Sequence, residues 1–323
     1  MNFEILSSAI KAEISSQNYG EKPFELYEPI RYIMALGGKR LRPMLTLIGA
    51  SIYSDNWQKA IRPAIAMEVF HNFTLLHDDL LDNAPTRRNK PTVHEKWSEN
   101  VAILSGDVML VKAYEFLFDI DKELLKEALI GFSQTAAEVC EGQQLDMNFE
   151  NLEEVSKEEY LEMIRLKTSV LLGFSLKIGA MIGGASSFDQ NKLYQIALNA
   201  GMGFQLMDDI LDVYGDPEKF GKQVGGDIIS NKKTYLLILA KELANGSESE
   251  NLNKWISTKT FDKAEKVDAV TNIYNSLNIK QNVEVVMNGY FEKCFDDIES
   301  LSLPVDKKEI LTTFFKELTL RQH

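Results

Sequence analysis

Apolar residues recur at three- and four-residue spacing along most of the chain. "FELYEPIRYIMAL" (24–36) and "AIRPAIAMEVFHNFTLLHDDLLD" (60–82) each predict an amphipathic helix. Ser156 and Glu159 in "SKEE" match a capping box, so a long helix is expected from there to about residue 182. "SSFDQNKLYQIALNAGMGFQLMDDILD" (186–212) predicts another. Strict apolar–polar alternation is nearly absent, and Pro43, Pro85, Pro91 and Pro217 fall at element boundaries. "NGSESENLN" (245–253), the most polar gap, reads as a surface loop, and no Pro- or Ser-rich linker appears. The pattern predicts an all-α fold of ten or more helices in a single domain spanning 1–323.

Two of these helices end alike. "FTLLHDDLLD" (73–82) is echoed by "FQLMDDILD" (204–212), far along the chain. In a helix, Asp78 and Asp82 share a face and Asp79 lies about 100° round; Asp208, Asp212 and Asp209 repeat the arrangement. Each cluster precedes a breaker, Asn83-Ala84-Pro85 or Gly215-Asp216-Pro217, so it lies near a helix C-terminus. Anions there are disfavoured by about 0.3–1 kcal/mol each. A solvated acidic helix end is the bland alternative. The flanking Leu75, Leu76, Leu80, Leu81, Met207, Ile210 and Leu211 argue instead for burial, where unpaired charge is very costly. The clusters therefore ask for a cation. Their donors are all oxygen, which selects Mg²⁺ or Ca²⁺, and the spacing is not that of an EF-hand loop. Mg²⁺ commonly completes its shell with substrate phosphate, so a phosphorylated ligand is implied.

Charge sharpens this picture. The chain of 323 residues carries a formal net charge of −13, which speaks against nucleic acid and anionic membranes as partners. An anionic substrate then needs local positive charge, and the sequence supplies it beside the acidic clusters. Lys39, Arg40 and Arg42 crowd an expected helix start in "GGKRLRP" (37–43), with Gly37-Gly38 ending the helix before it. Arg87 and Arg88 follow the first aspartate cluster. Lys222 and Lys232-Lys233 follow the second, and Lys167 sits beside Thr168 in a largely apolar stretch. His71 lies two turns before Asp78 on nearly the same face. Only two cysteines occur, Cys140 and Cys294, too few for a disulfide framework, and a reducing, cytoplasmic setting is expected. The start, "MNFEILSSAI", has no basic region or long apolar run, so no signal peptide is expected. The most membrane-like stretch, Ser169 to Ala185, is broken by Lys177 and by glycines, which predicts a buried helix and no membrane span.

Taken in order, "GGKRLRP", "DDLLDNAPTRR", "GQQLD" (142–146), "KT" (167–168), "FQLMDDILD" and "GKQVGGD" (221–227) resemble the motifs of the trans-type isoprenyl diphosphate synthases, the polyprenyl synthetases. The resemblance runs from about residue 30 to 240 and is nearest to geranylgeranyl and farnesyl diphosphate synthases. It implies a helical bundle around a central cavity and a homodimer. It also implies Mg²⁺-dependent head-to-tail condensation of isopentenyl diphosphate with dimethylallyl, geranyl or farnesyl diphosphate. On this resemblance Asp78, Asp79, Asp82, Asp208, Asp209 and Asp212 hold up to three Mg²⁺ ions. Arg87, Lys167 and Lys232 contact the allylic diphosphate, and Lys222 joins the substrate-binding set. Lys39, Arg42, His71 and Arg88 hold isopentenyl diphosphate. Lys167, Thr168 and Gln205 face the developing cation, with Gln143 and Asp146 lining the cavity. Two departures touch loop geometry only: Asn89 and Asn231 stand where the family usually has glycine.

In the family, the fourth and fifth residues before the first aspartate motif set the floor for the growing chain. Here they are Thr74 and Phe73, a single aromatic, which resembles C20-forming members; a C15 product is the alternative. A terpene cyclase would be expected to replace the second aspartate motif and to lack the second diphosphate site. A non-catalytic helical partner would be expected to lose charged residues that are all present here.

Overall fold

The computed structural model describes residues 2–216 and 225–319. Helices form where the apolar spacing placed them. They begin with Phe3–Ser16 (α1), Phe24–Ala35 (α2), Leu41–Tyr53 (α3) and, after a 3₁₀ turn, Ile61–Leu81 (α4). A two-stranded antiparallel ladder follows, Thr86–Arg87 (β1) against Lys90–Pro91 (β2). Next come Val93–Lys96 (α5), Glu99–Leu117 (α6), Lys122–Asn151 (α7) and Lys157–Ile164 (α8). A π-helical turn, Arg165–Ser169, leads into Val170–Gly183 (α9), then Ser187–Tyr214 (α10). Gly226–Ser230 (α11), Tyr235–Leu243 (α12), Gly246–Ser257 (α13), Lys263–Ser276 (α14), Ile279–Glu299 (α15) and Val305–Thr319 (α16) follow. The all-α class and the expectation of ten or more helices both hold among the described residues.

The chain divides into two compact units: Met1–Gln134 with Phe174–Tyr194, and Thr135–Gly173 with Gln195–His323. In the first, α4 is the central element. Pro63 to Phe70 are buried without interruption, so this helix is enclosed on every side by α3, α6 and their neighbours. Full burial of side chains such as Ile65 and Phe70 contributes about 1.5–3 kcal/mol each. α3 and the second half of α9 meet backbone to backbone. A Cβ on Gly179 would lie 2.0 Å from the Thr46 carbonyl oxygen, and one on Gly49 would lie 2.4 Å from that of Leu176. Small residues in the membrane-like stretch thus serve close packing, as expected. Lys157–Gly183 is long and apolar enough to cross a membrane, yet 72% of its most apolar window is buried in the protein, as in a core helix.

In the second unit the capping box forms as expected: the Ser156 hydroxyl accepts from Glu159 N, and the Glu159 carboxylate accepts from Ser156 N. α12 is buried from Tyr235 through Ala240 and is opened by the Thr234 side chain, which accepts from Leu237 N. The loop expected at 245–253 is instead part of α13. Asn245 takes the N-cap position and Glu248 lies in the first turn, where negative charge is favoured. The apolar stripe of Leu252, Trp255 and Ile256 starts only two turns later, so the polar opening disguised the helix. Leu252 is buried at 1% exposure and anchors it.

Candidate active site

In the first unit, α4 delivers its aspartates at its last turn, as the breaker at 83–85 implied. Their environments differ from the expectation of a uniformly buried cluster. Asp78 is half-buried, Asp82 caps the helix in the open, and Leu81 is 47% exposed. Asp79 is the buried one, and it is paired. The β1–β2 hairpin turns the chain back, and the Arg87 guanidinium donates to both Asp79 carboxylate oxygens at 2.8 Å. The hairpin turn is Arg88-Asn89, with φ of 52° and 59°. Both central residues of such a turn take positive φ, which explains Asn89, since asparagine tolerates that conformation.

Arg88 reaches from this turn to donate to the Gly37 carbonyl oxygen. Gly38, at φ 124°, leaves it room: a Cβ there would stand 2.6 Å from an Arg88 Nη atom. The glycine pair ends α2 and sets up the start of α3, as the sequence indicated. Arg40 at the N-cap is left-handed, pairs with buried Glu68 of α4 and donates to the Met34 carbonyl oxygen. That residue is structural. Asn72 completes the network by donating to Glu68 Oε1 at 2.9 Å. Lys39 is exposed. Arg42 has its Nε shielded and without a hydrogen-bond partner, and burial lowers its pKa to about 10 although Glu68 opposes the shift.

His71 is held neutral. Burial, then Arg42, Arg87, Arg88 and Arg40, push its pKa well below the usual 6.5. Four arginines acting on one imidazole make this the local positive field that an anionic ligand needs in so acidic a chain. Phe73 is buried on the same helix. Its ring packs edge-on against His77 at 4.8 Å between centroids and tilted against Phe70 at 5.6 Å. Thr74 spends its hydroxyl on the His71 carbonyl oxygen, at 2.8 Å.

The second unit gathers the other charged set. Lys167 Nζ donates to Asp146 at 2.7 Å, and Lys232 Nζ lies 3.8 Å from the same carboxylate. Burial pushes Asp146 up, but Lys232 and Lys167 outweigh it and leave the carboxyl below its ordinary range. Lys167 and Thr168 lie in the π-helical turn, a distortion common at functional sites. Gly142 lets α7 approach it: a Cβ there would sit 2.2 Å from Lys167 N. The Thr168 hydroxyl donates to Gln205 Oε1 at 3.4 Å, and the shielded Gln143 amide has neither atom hydrogen-bonded.

On α10, Asp208 is half-buried and Asp209 is buried. Asp209 accepts a hydrogen bond from the Tyr160 hydroxyl. Burial raises Asp209 to about 8; the Tyr160 bond and Lys232 pull it down, while Asp227 and Asp208 push it further up. Asp212 accepts from Asp227 N at 2.9 Å through its side chain and from Gly225 N at 2.6 Å through its carbonyl, which ties the start of α11 to the aspartate motif. Lys222 lies outside the described residues, as does the C-terminal Arg321-Gln322-His323.

The polyprenyl synthetase family model matches residues 23–274. The chain belongs to the polyprenyl synthetase family. It is accordingly a prenyltransferase of isoprenoid biosynthesis. It is 42% identical over 238 residues to the geranylgeranyl diphosphate synthase of Methanosarcina mazei, a span that covers 73% of this chain and 74% of that one. It is 33% identical over 325 residues to that of Sulfolobus acidocaldarius, covering 99% of this chain and 97% of that one. A crystal structure of a geranylgeranyl pyrophosphate synthase superposes with a TM-score of 0.95 at 43% identity, each chain covered completely. The family match extends past residue 240, beyond the stretch where the motifs alone were legible.

Synthetases of this family are generally magnesium-dependent. Among the described residues no three acidic, histidine or cysteine side chains converge into a ready-made metal cage. The carboxylates nevertheless fit magnesium, which takes one or two protein carboxylates and draws its other ligands from water and phosphate. Three residues that shape this synthetase's charged clusters were not singled out by sequence: Glu68, Tyr160 and Lys266. None belongs to a motif, and each is recognisable only through its tertiary partner.

Proposed function

We propose that this synthetase joins isopentenyl diphosphate head to tail to dimethylallyl, geranyl and farnesyl diphosphate, releases pyrophosphate, and stops at geranylgeranyl diphosphate. The observation that carries the reading is the arginine field around neutral His71 beside an aspartate motif, in a chain of net charge −13. The names of its similar relatives support the C20 product.

Lys39, Arg42, His71 and Arg88 bind isopentenyl diphosphate. Arg87, Lys167 and Lys232, with Lys222, bind the allylic diphosphate. Asp78, Asp79, Asp82, Asp208, Asp209 and Asp212 would hold up to three Mg²⁺ ions. Bound there, Mg²⁺ neutralises the charge that develops on the departing pyrophosphate. Arg87 and the lysines share that task once the diphosphate takes the place of Asp79 and Asp146 as their partner. Thr168 and Gln205 turn oxygen lone pairs toward the allylic cation, and the isopentenyl alkene attacks it. The proton then leaves with pyrophosphate, so no protein nucleophile is needed.

Phe73 forms the floor for the growing chain, braced by Phe70 and His77. The whole chain acts as one catalytic domain in the reducing cytoplasm, and neither cysteine is in a disulfide. It works as a homodimer. Leu104, Val111 and Phe118 recur every seventh residue along α6 and its C-cap at 57%, 57% and 58% exposure, an apolar stripe suited to a second copy.

Asp78→Ala and Asp208→Ala, checked by circular dichroism for an intact fold, are expected to lose Mg²⁺-dependent turnover. Near-normal rates in either variant would overturn the assignment of the aspartates.

A further inference from the structure

Lys266 of α14 is 1% exposed, among the most buried side chains in the protein. Its ammonium meets neutral groups. Nζ donates to the Asn231 side-chain oxygen at 2.7 Å and to the Ile229 carbonyl oxygen at 3.3 Å, and it stands 4.2 Å from the centroid of the Phe261 ring. Three partners match the three N–H donors of an ammonium. Asn231 in turn donates through Nδ2 to the Ile256 carbonyl oxygen at 3.1 Å. Burial lowers the Lys266 pKa, so these oxygens are what make a charged group tolerable at this depth.

Asn231 is the residue this ammonium fixes. It closes α11 in the left-handed region, with φ 55° and ψ 33°. That conformation costs most L-residues roughly 1–2 kcal/mol; asparagine tolerates it when its side chain is hydrogen-bonded, and here both side-chain atoms are. The backbone here forms a helix-closing turn: Asn231 N donates to the Ile228 oxygen at 3.2 Å, and Lys232 N donates to the Asp227 oxygen at 2.9 Å. The left-handed residue therefore sets the direction in which the chain enters Lys232. A cavity of about 10 Å³ lies against the turn, lined by Asp227, Asn231 and Lys232 together with apolar Ile228, Leu237 and Leu252. The other end of α11 is tied to Asp212. The five-residue helix thus runs from an aspartate of the second motif to Lys232, and Lys266 fastens its far end.

We propose that Lys266 is a positioning residue: its ammonium holds Asn231 left-handed and so aims Lys232. The inference rests on the reading of Lys232 as a contact of the allylic diphosphate. Neither Lys266 nor Asn231 touches substrate in this account.

The test is steady-state kinetics on the full chain, with the allylic primer and isopentenyl diphosphate varied separately. Lys266→Met raises the allylic KM about tenfold, the equivalent of one charge-assisted hydrogen bond. The KM for isopentenyl diphosphate stays within about twofold of wild type, because its contacts lie elsewhere. Adding Asn231→Gly to Lys266→Met brings the allylic KM back to within about twofold, since glycine takes positive φ without a clamp. Lys232→Ala raises the same KM and is not rescued by Asn231→Gly. Should Lys266→Met fail to fold, Asn231→Val replaces it and must show the same selective rise, as a β-branched residue cannot hold this conformation.

Equal rises in both KM values, a lowered Tm with the allylic KM unmoved, or failure of Asn231→Gly to rescue would overturn the clamp. If Lys232→Ala raises the allylic KM while Lys266→Met does not, the clamp alone falls. If Lys232→Ala leaves it unchanged, the reading of Lys232 falls and the clamp falls with it.

Discussion

Removing the ring of Phe73 probes the chain-length reading most sharply. Phe73 is 8% exposed and wedged between Phe70 and His77. Phe73→Ala should cost about 3–5 kcal/mol in stability, the range for a buried aromatic cut to alanine. Against a typical total of about 5–15 kcal/mol this is a large share, so Tm falls and circular dichroism at the assay temperature establishes that the variant is folded. The lost ring has about the bulk of one isoprene unit. Behind it the Phe70 and Phe132 rings stand 5.2 Å apart, and Tyr114 lies 4.8 Å from Phe132. The floor therefore drops by one layer and does not disappear, and the main product should shift from C20 to C25 with little beyond. Labelled isopentenyl diphosphate, dephosphorylation of the products and reverse-phase chromatography read the lengths directly. A folded Phe73→Ala variant with an unchanged product profile would refute Phe73 as the floor.

Three further outcomes test the charged framework. Glu68→Gln strands the buried Arg40 guanidinium, so Tm should fall by the equivalent of about 3–5 kcal/mol; an unchanged melt would show that the pair is not structural. His71, with its pKa lowered in the fold, binds fewer protons than the unfolded chain. Stability should therefore decline as pH falls below the ordinary histidine value of 6.5 and be fully present above it. Saturating inorganic pyrophosphate should raise the His71 pKa in an NMR titration, and no movement would argue against an anion binding beside it.

What the sequence revealed was what local physics writes into it. The capping box at Ser156 and the glycine break before Lys39 are local, and each was found where expected. The acidic ends of α4 and α10 were likewise legible from spacing alone. Which aspartate of the first motif is buried was not, because the answer lies in a hairpin. Spacing sets Asp79 off the face of Asp78 and Asp82, and only the β1–β2 turn shows that Arg87 folds back to cover it. The helix at Gly246–Ser257 was missed because its first two turns are polar and its anchor, Leu252, comes late. The π-helical turn at Lys167 was invisible for a different reason, since its apolar spacing is that of the helices on either side. Lys266 offered no signal at all: a single lysine in an amphipathic helix is ordinarily solvent-facing, and only Asn231 gives it a purpose.

The most direct measurement is incubation of the full chain with labelled isopentenyl diphosphate, Mg²⁺ and dimethylallyl, geranyl or farnesyl diphosphate in turn, followed by chain-length analysis. All three primers should be extended to a C20 diphosphate, and omission of Mg²⁺ should abolish the reaction. No incorporation of isopentenyl diphosphate, or a diphosphate-free hydrocarbon formed from the primer alone, would contradict the proposed reaction.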